Sequence, residues 1–415
     1  MIVKQYVKEF ESFGLGMFVH FGLYSIIGRG EWVKFLEKIP DDVYDKLTER
    51  FDPSENWADE IAACAKNAGC GYITLTARHH DGFSLYDTKG LTTYDAPHSA
   101  CGRDLIKEFV DACRKYDIKP FFYHTLLDWH EKTYRTDFKA YLEYLRKSIE
   151  IICSSYGRIG GIWFDGMWDR KDDDWEEDKL YSLIRKYQPD VMIINNTGLD
   201  ARGALGHIEL DSVTFERGCP VPINLAGSPK YIASEMCEVM NDCWGIGVDD
   251  INYKSPAALI EEMVTCRRTR SNFLLNTGPK PDGSLRTVDR GIFELIGKWT
   301  YRFGDVFRYG VPTENARVIS GGKDFVLEKG GGFYLFCFGL PTVADPNVSE
   351  RVFTDFDRKV EILNPAASSY RLTALDTGDP QSYDLDGNVI TVHCSPFSFG
   401  RNLVVRVIKI EPEVS

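Results

Sequence analysis

Residues 120–165 carry, in succession, PFFYH (120–124), FKAYLEYLRKSIEII (138–152) and GIWFD (161–165). The outer runs are short and rich in aromatic or β-branched residues, the composition of strands. The middle run repeats Phe138, Leu142, Leu145, Ile149 and Ile152 at three- and four-residue steps, which draws one apolar stripe along a helix. Strand, crossover helix and strand form the unit of a parallel sheet. Outward from this unit the same rhythm holds from the N-terminus to about residue 305. Further strand-like runs lie at 15–20, 72–76, 191–195, 212–216, 231–235 and 272–276, and helical patterns fit 57–67, 104–115, 175–187, 255–270 and 288–301. Eight strands in this rhythm predict an α/β fold, a closed (β/α)8-like barrel filling a catalytic domain at 1–309. An open doubly wound sheet shares the pattern and is the alternative.

Past residue 310 the helical period stops. Short β-rich segments at 324–327, 333–338, 360–363, 389–392 and 403–410 are separated by turn clusters such as Lys329-Gly330-Gly331-Gly332 and Asp386-Gly387-Asn388. This pattern predicts a small C-terminal antiparallel β-sandwich at 310–415.

Composition narrows the function. A formal net charge of −13 without a compensating basic stretch argues against nucleic acid or an anionic membrane as partner. No apolar run reaches the roughly 20 residues of a membrane span. The opening Met1-Ile2-Val3-Lys4-Gln5-Tyr6 lacks the apolar core of a signal peptide. Eleven cysteines without a C-x-x-C pair fit buried thiols in a reducing compartment, so a cytoplasmic location is expected.

In a parallel barrel the strand C-termini open onto one face, and polar residues that close apolar runs line the site. That rule selects His20, the series Arg78-His79-His80-Asp81, Tyr123-His124, Trp163-Phe164-Asp165, Glu216 and Glu235. Asp165 closes the run 161–164 before Gly166, a poor place for a core residue and a good one for a cleft; a helix cap or an Asp-Gly turn is the plainer reading. Glu216 and Glu235 close other runs, so a second carboxylate can face the first. Two carboxyls about 5 to 5.5 Å apart are the equipment of retaining glycoside hydrolysis. The cluster of His20, His79, His80, Asp81 and Asp165 also suits a metal. Against that, no His-x-His pair is present, and adjacent histidines on a pleat point to opposite sides.

The stretches 13–25 (FGLGMFVHFGLYS), 30–33 (GEWV), 74–83 (TLTARHHDGF), 126–130 (LLDWH), 162–166 (IWFDG), 234–237 (SEMC) and 272–283 (NFLLNTGPKPDG) resemble the glycoside hydrolase family 29 α-L-fucosidases, in order, across about residues 10 to 300. The resemblance implies a (β/α)8-like barrel with a C-terminal β-sandwich and exo-acting hydrolysis of terminal α-L-fucose with retention. No metal and no organic cofactor are implied, and the partner is a fucosylated oligosaccharide or glycoconjugate. By motif, Asp165 resembles the family's nucleophile. His20, Glu31, Trp32, His79, His80, Tyr123 and Trp163 resemble its fucose-holding shell, and Trp244 resembles an aromatic that packs on the sugar's methyl group. Glu216 is the expected acid/base and Glu235 the alternative. Many relatives carry Asn-Asp-Arg or Asn-Asn-Arg after strand five, where this chain reads Asn195-Asn196-Thr197; Arg217 is expected to supply the missing charge. The rival readings are a metal-dependent hydrolase on the same barrel and a fucose-binding protein without catalysis.

Overall fold

The computed structural model describes residues 1–197, 203–204, 206–343, 356–363, 365 and 367–413. Eight parallel strands close into a barrel in sequence order. They are β1 (Leu15–Val19), β2 (Tyr72–Arg78), β3 (Lys119–Thr125), β4 (Gly161–Asp165), β5 (Met192–Asn195), β6 (Ser212–Glu216), β7 (Ala233–Glu238) and β8 (Asn272–Thr277). The last pairs with the first, which decides for the barrel over the open sheet.

The barrel interior is a packed core. Phe18, Tyr72, Phe121, Tyr123, Trp163, Met192, Ile194, Ala233, Cys237 and Leu274 fill it, with Val7 and Phe10 from the N-terminal helix Gln5–Glu11. So many rings fit because some inward positions are glycine: a β-carbon on Gly16 would enter the Tyr72 ring, and one on Gly161 would enter the Phe121 ring.

Crossover helices Trp57–Ala68, Leu105–Lys115, Phe138–Ser155 and Glu177–Tyr187 follow β1 to β4, and Pro256–Cys266 and Thr287–Tyr309 follow β7 and β8. Several start on a capping side chain: Asp104 accepts from Lys107 N at 3.0 Å and Asp137 from Ala140 N at 3.1 Å. After β5 and β6 no helix occurs among the described residues. Where β5 meets β6, Ile194 lies opposite Ser212.

One strand is shifted from its sequence reading. The run at 231–235 becomes a strand at Ala233–Glu238, because Met236 and Cys237 continue the buried pattern. Glu235 therefore sits in mid-strand and does not close the strand.

Contacts group the chain into two compact units, Met1–Lys254 with Ser271–Glu294, and Ser255–Arg270 with Leu295–Ser415. The sequence boundary at 309/310 marks where helices give way to strands. The second unit holds a four-stranded antiparallel sheet in the order Ala316–Val318, Asp357–Ile362, Val389–His393, Tyr383–Asp386, and a five-stranded one in the order Tyr370–Ala374, Arg406–Pro412, Gly332–Cys337, Phe325–Lys329, Val311–Pro312. Val360, Ile362, Ile390 and Val392 of the first join Leu335, Leu372, Ile408 and Ile410 of the second in one core, the layering of a sandwich.

Candidate active site

At the C-terminal mouth of the barrel a cavity is lined by Phe18, His20, Trp32, His79, His80, Tyr123, Trp163, Asp165, Trp168, Asn196, Glu216, Cys237 and Trp244. Its wall is largely aromatic with a few convergent polar groups, the make-up of a small-molecule site.

Asp165 ends β4, and the chain turns sharply at Gly166. That glycine has φ +94°, and a β-carbon there would lie 2.7 Å from Leu127 Cβ and 2.8 Å from Leu127 N. Only glycine fits this left-handed, crowded position, so the Asp-Gly pair is a turn that aims the carboxylate into the cavity. The Asp165 side chain keeps 16% of its surface exposed. Its Oδ2 accepts from the Tyr123 hydroxyl at 3.0 Å and its Oδ1 from Asn196 Nδ2 at 3.3 Å. His80 Nε2 stands 3.6 Å from Oδ2, too far for a hydrogen bond.

Glu216 ends β6. Its Oε2 accepts from the same Asn196 Nδ2, at 2.8 Å. Since that nitrogen reaches Asp165 at 3.3 Å and Glu216 at 2.8 Å, the two nearest carboxylate oxygens lie within about 6 Å of each other. Burial, and then the neighbouring Asp165 charge, hold the Glu216 carboxyl above the usual carboxylate range; the Asn196 hydrogen bond and the Arg217 charge oppose this.

The histidines are tuned as neutral acceptors. His20 Nδ1 lies 2.6 Å from Asn276 Oδ1, while Asn276 Nδ2 donates to the Trp244 carbonyl at 2.6 Å. The carbonyl only accepts, so the asparagine amide is fixed, Nδ1 of His20 is the donor and Nε2 carries the lone pair. His80 Nδ1 lies 2.7 Å from Thr125 Oγ1, whose own proton goes to the Leu127 carbonyl, and the same reasoning leaves His80 Nε2 as an acceptor. Burial pushes His20 down to about 3 and His79 and His80 below the ordinary histidine value. His79 stacks on Tyr123 at 5.4 Å and 15°. His79 Nδ1 and Trp168 Nε1 are buried with no hydrogen-bond partner, the condition of groups a polyhydroxylated ligand can satisfy.

Of the residues given a catalytic or sugar-holding role in the sequence, three stand apart from the cavity wall. Glu235 is 1% exposed and accepts from Trp163 Nε1 at 2.8 Å and from the Tyr72 hydroxyl. It lies inside the barrel and fixes the indole that floors the site. This corrects its reading as a candidate acid at a strand end: the strand runs three residues further. Burial pushes its carboxyl up to about 7, a value suited to an acid catalyst, but reach to a substrate comes before pKa. Glu31 is also buried and accepts from the backbone N–H groups of Trp244 and Gly245 at 3.0 and 2.7 Å, so it sets the Trp244 loop. Arg217 is exposed at the rim, donates to the Asp242 carbonyl at 3.1 Å and stands 5.7 Å from the Trp244 ring centroid.

Sequence reasoning did not single out Phe18, Trp168, Asn196 or Cys237 as lining residues. Trp168 stacks on Trp32 at 5.8 Å and 21°, and its place three residues after Asp165 was the one available signal. Among the described residues no group of three or more His, Cys, Asp and Glu is disposed to hold a metal ion, and no helix is long and apolar enough to cross a membrane.

A sequence model of the alpha-L-fucosidase family matches residues 2–305. The tissue alpha-L-fucosidase of Rattus norvegicus is 26% identical over 339 residues, 74% of this chain and 70% of that one. The alpha-L-fucosidase of Dictyostelium discoideum is 25% identical over 330 residues, 70% of this chain and 68% of its own. Among solved structures, alpha-L-fucosidase isoenzyme 1 from Paenibacillus thiaminolyticus matches with a TM-score of 0.81 at 26% identity, over 99% of each chain.

Proposed function

This chain belongs to the alpha-L-fucosidase family, a glycoside hydrolase, and from there we propose that it removes terminal α-L-fucose from fucosylated glycans by double displacement, with Asp165 as nucleophile and Glu216 as acid and base. The observation that carries the mechanism is the shared contact through Asn196. It holds Asp165 Oδ1 and Glu216 Oε2 within about 6 Å of each other, so both carboxylates face one reaction centre, as a nucleophile and an acid/base acting in double displacement must.

In the first step an Asp165 oxygen bonds to the anomeric carbon, the glycosidic C–O bond breaks, and Glu216 passes its proton to the departing oxygen. In the second, Glu216 takes a proton from water, the water oxygen bonds to the anomeric carbon, and Asp165 leaves as a carboxylate. The raised Glu216 carboxyl supplies the proton of the first step. Asp165 accepts from the donors Tyr123 and Asn196, which orient its carboxylate in the cavity.

The Nε2 acceptors of His20 and His80 suit sugar hydroxyls. Because His80 Nε2 stands beside the nucleophile, the hydroxyl it takes is the one next to the anomeric carbon. Phe18 and Trp244 offer apolar faces to the deoxy carbon of fucose.

The test is release of nitrophenol from p-nitrophenyl α-L-fucoside, beside the β-D-galactoside and with EDTA present. Activity on the fucoside alone, indifferent to the chelator, supports the reading. Asp165→Gly is expected to lose turnover by about 1,000-fold or more and to recover part of it with azide, releasing β-fucosyl azide. Near-normal activity in that variant would remove Asp165 from the role.

A further inference from the structure

Asn196 follows β5 and is buried. Its backbone N–H donates to the Phe164 carbonyl at 2.8 Å, which ties it to the strand that ends in Asp165. Its side-chain Oδ1 accepts from the Thr214 hydroxyl on β6 at 3.1 Å. Turning the amide over would set its oxygen against two carboxylates, so the NH2 group faces Asp165 and Glu216, one N–H toward each.

We infer that Asn196 is a positioning residue serving both carboxylates in turn: its amide keeps the catalytic proton of Glu216 on Oε1, the oxygen it leaves uncovered, and its donation follows the negative charge from Asp165 to Glu216 during turnover. The inference rests on the double-displacement reading. A protonated carboxyl accepts hydrogen bonds through its carbonyl oxygen in preference to its hydroxyl oxygen, so the 2.8 Å bond to Oε2 assigns the proton to Oε1. Once Asp165 is esterified it is a weak acceptor, while Glu216 has become an ionised and stronger one. The amide then steadies Glu216 as the base of the second step. No other described side chain is hydrogen-bonded to both carboxylates.

The charged and titratable groups around the pair are His80 from the end of β2, Tyr123 from β3, Arg217 beside Glu216, Cys237 on β7, and Glu31. None of these is altered in Asn196→Ala. That variant removes a donor that favours the ionised form of Glu216, so the pKa of that carboxyl rises. The basic limb of kcat/KM against pH, set by Glu216, should move upward by about one pH unit. The optimum rate should fall about tenfold or more. Thr214→Val unfixes the amide without touching either carboxyl and should move the basic limb in the same direction by less. Circular dichroism and melting of both variants check the fold.

A loss of rate with unmoved limbs in both folded variants would overturn the inference, as would wild-type rates in Asn196→Ala. Azide rescue of Asp165→Gly is read separately. If rescue succeeds and the limbs stay in place, the positioning role fails while the nucleophile stands; if Asp165→Gly stays fully active, the underlying mechanism fails.

Discussion

Glu216 and Glu235 are both pushed above the usual carboxylate range by burial, yet they should respond differently to substitution. Glu216→Gln removes the transferable proton, so kcat/KM on a fucosylated oligosaccharide should drop by about 100-fold or more, and by much less on α-L-fucosyl fluoride, whose leaving group needs no proton. Glu235→Gln keeps an acceptor for Trp163 and should stay within about tenfold of wild type. Its signature is in stability. The folded-state carboxyl titrates at about 7, above its unfolded value, so the native state binds the extra proton between the two. The stability this contributes is full at low pH and is lost as pH rises through about 7, by about 3 kcal/mol in order of magnitude. Melting curves of Glu235→Gln should therefore show a shallower decline from pH 5 to 8 than wild type. Asp165, His20 and His80 were legible because a polar residue that closes an apolar run has few structural uses. Asn196 was not, since an amide in a loop has no pattern of its own and its value comes from neighbours on β4 and β6. Glu235 was misplaced because its strand was read as ending three residues early.

At the scale of elements, β4 and its turn form the joint on which the site depends. Gly166→Ala would force a β-carbon against the Leu127 backbone at a φ that side chains rarely adopt. It should cost about 1 to 3 kcal/mol of stability and a disproportionate share of kcat, because relief of the clash re-aims Asp165. Thermal melting together with kcat measures both. All eight barrel strands were readable because short, largely buried runs recur between helical patterns or turn segments. The two-residue strands at Val311–Pro312, Thr342–Val343 and Phe397–Ser398 were not. They carry too few side chains for a period: Val311–Pro312 is added to the edge of Phe325–Lys329, and among the described residues Thr342–Val343 pairs only with Phe397–Ser398. The N-terminal helix Gln5–Glu11 escaped notice for a related reason: Val7 and Phe10 plug the barrel, a task no local pattern reveals.

For the whole molecule, a net charge of −13 sets the terms of encounter with charged glycans. KM for a sialylated or sulfated fucoside should fall as salt rises from 10 to about 200 mM, as screening shortens the reach of that repulsion, while KM for a neutral fucoside should barely move. Steady-state kinetics at two ionic strengths decide it. Barrel and sandwich were foreseeable as classes because each imposes its own period on the chain; the division of contacts was not, since it cuts through the helix Thr287–Tyr309 and so leaves no mark in composition. The absence of a helix after β5 and β6 among the described residues bears on descent. The cavity-lining histidines His20, His79 and His80 follow β1 and β2, strands that lead into crossover helices, where an insertion disturbs the fold. Glu216 and Arg217 open into segments that pack no crossover helix. A lineage carrying this barrel can therefore exchange one leaving group for another by editing those segments, and inherit its taste for fucose unchanged.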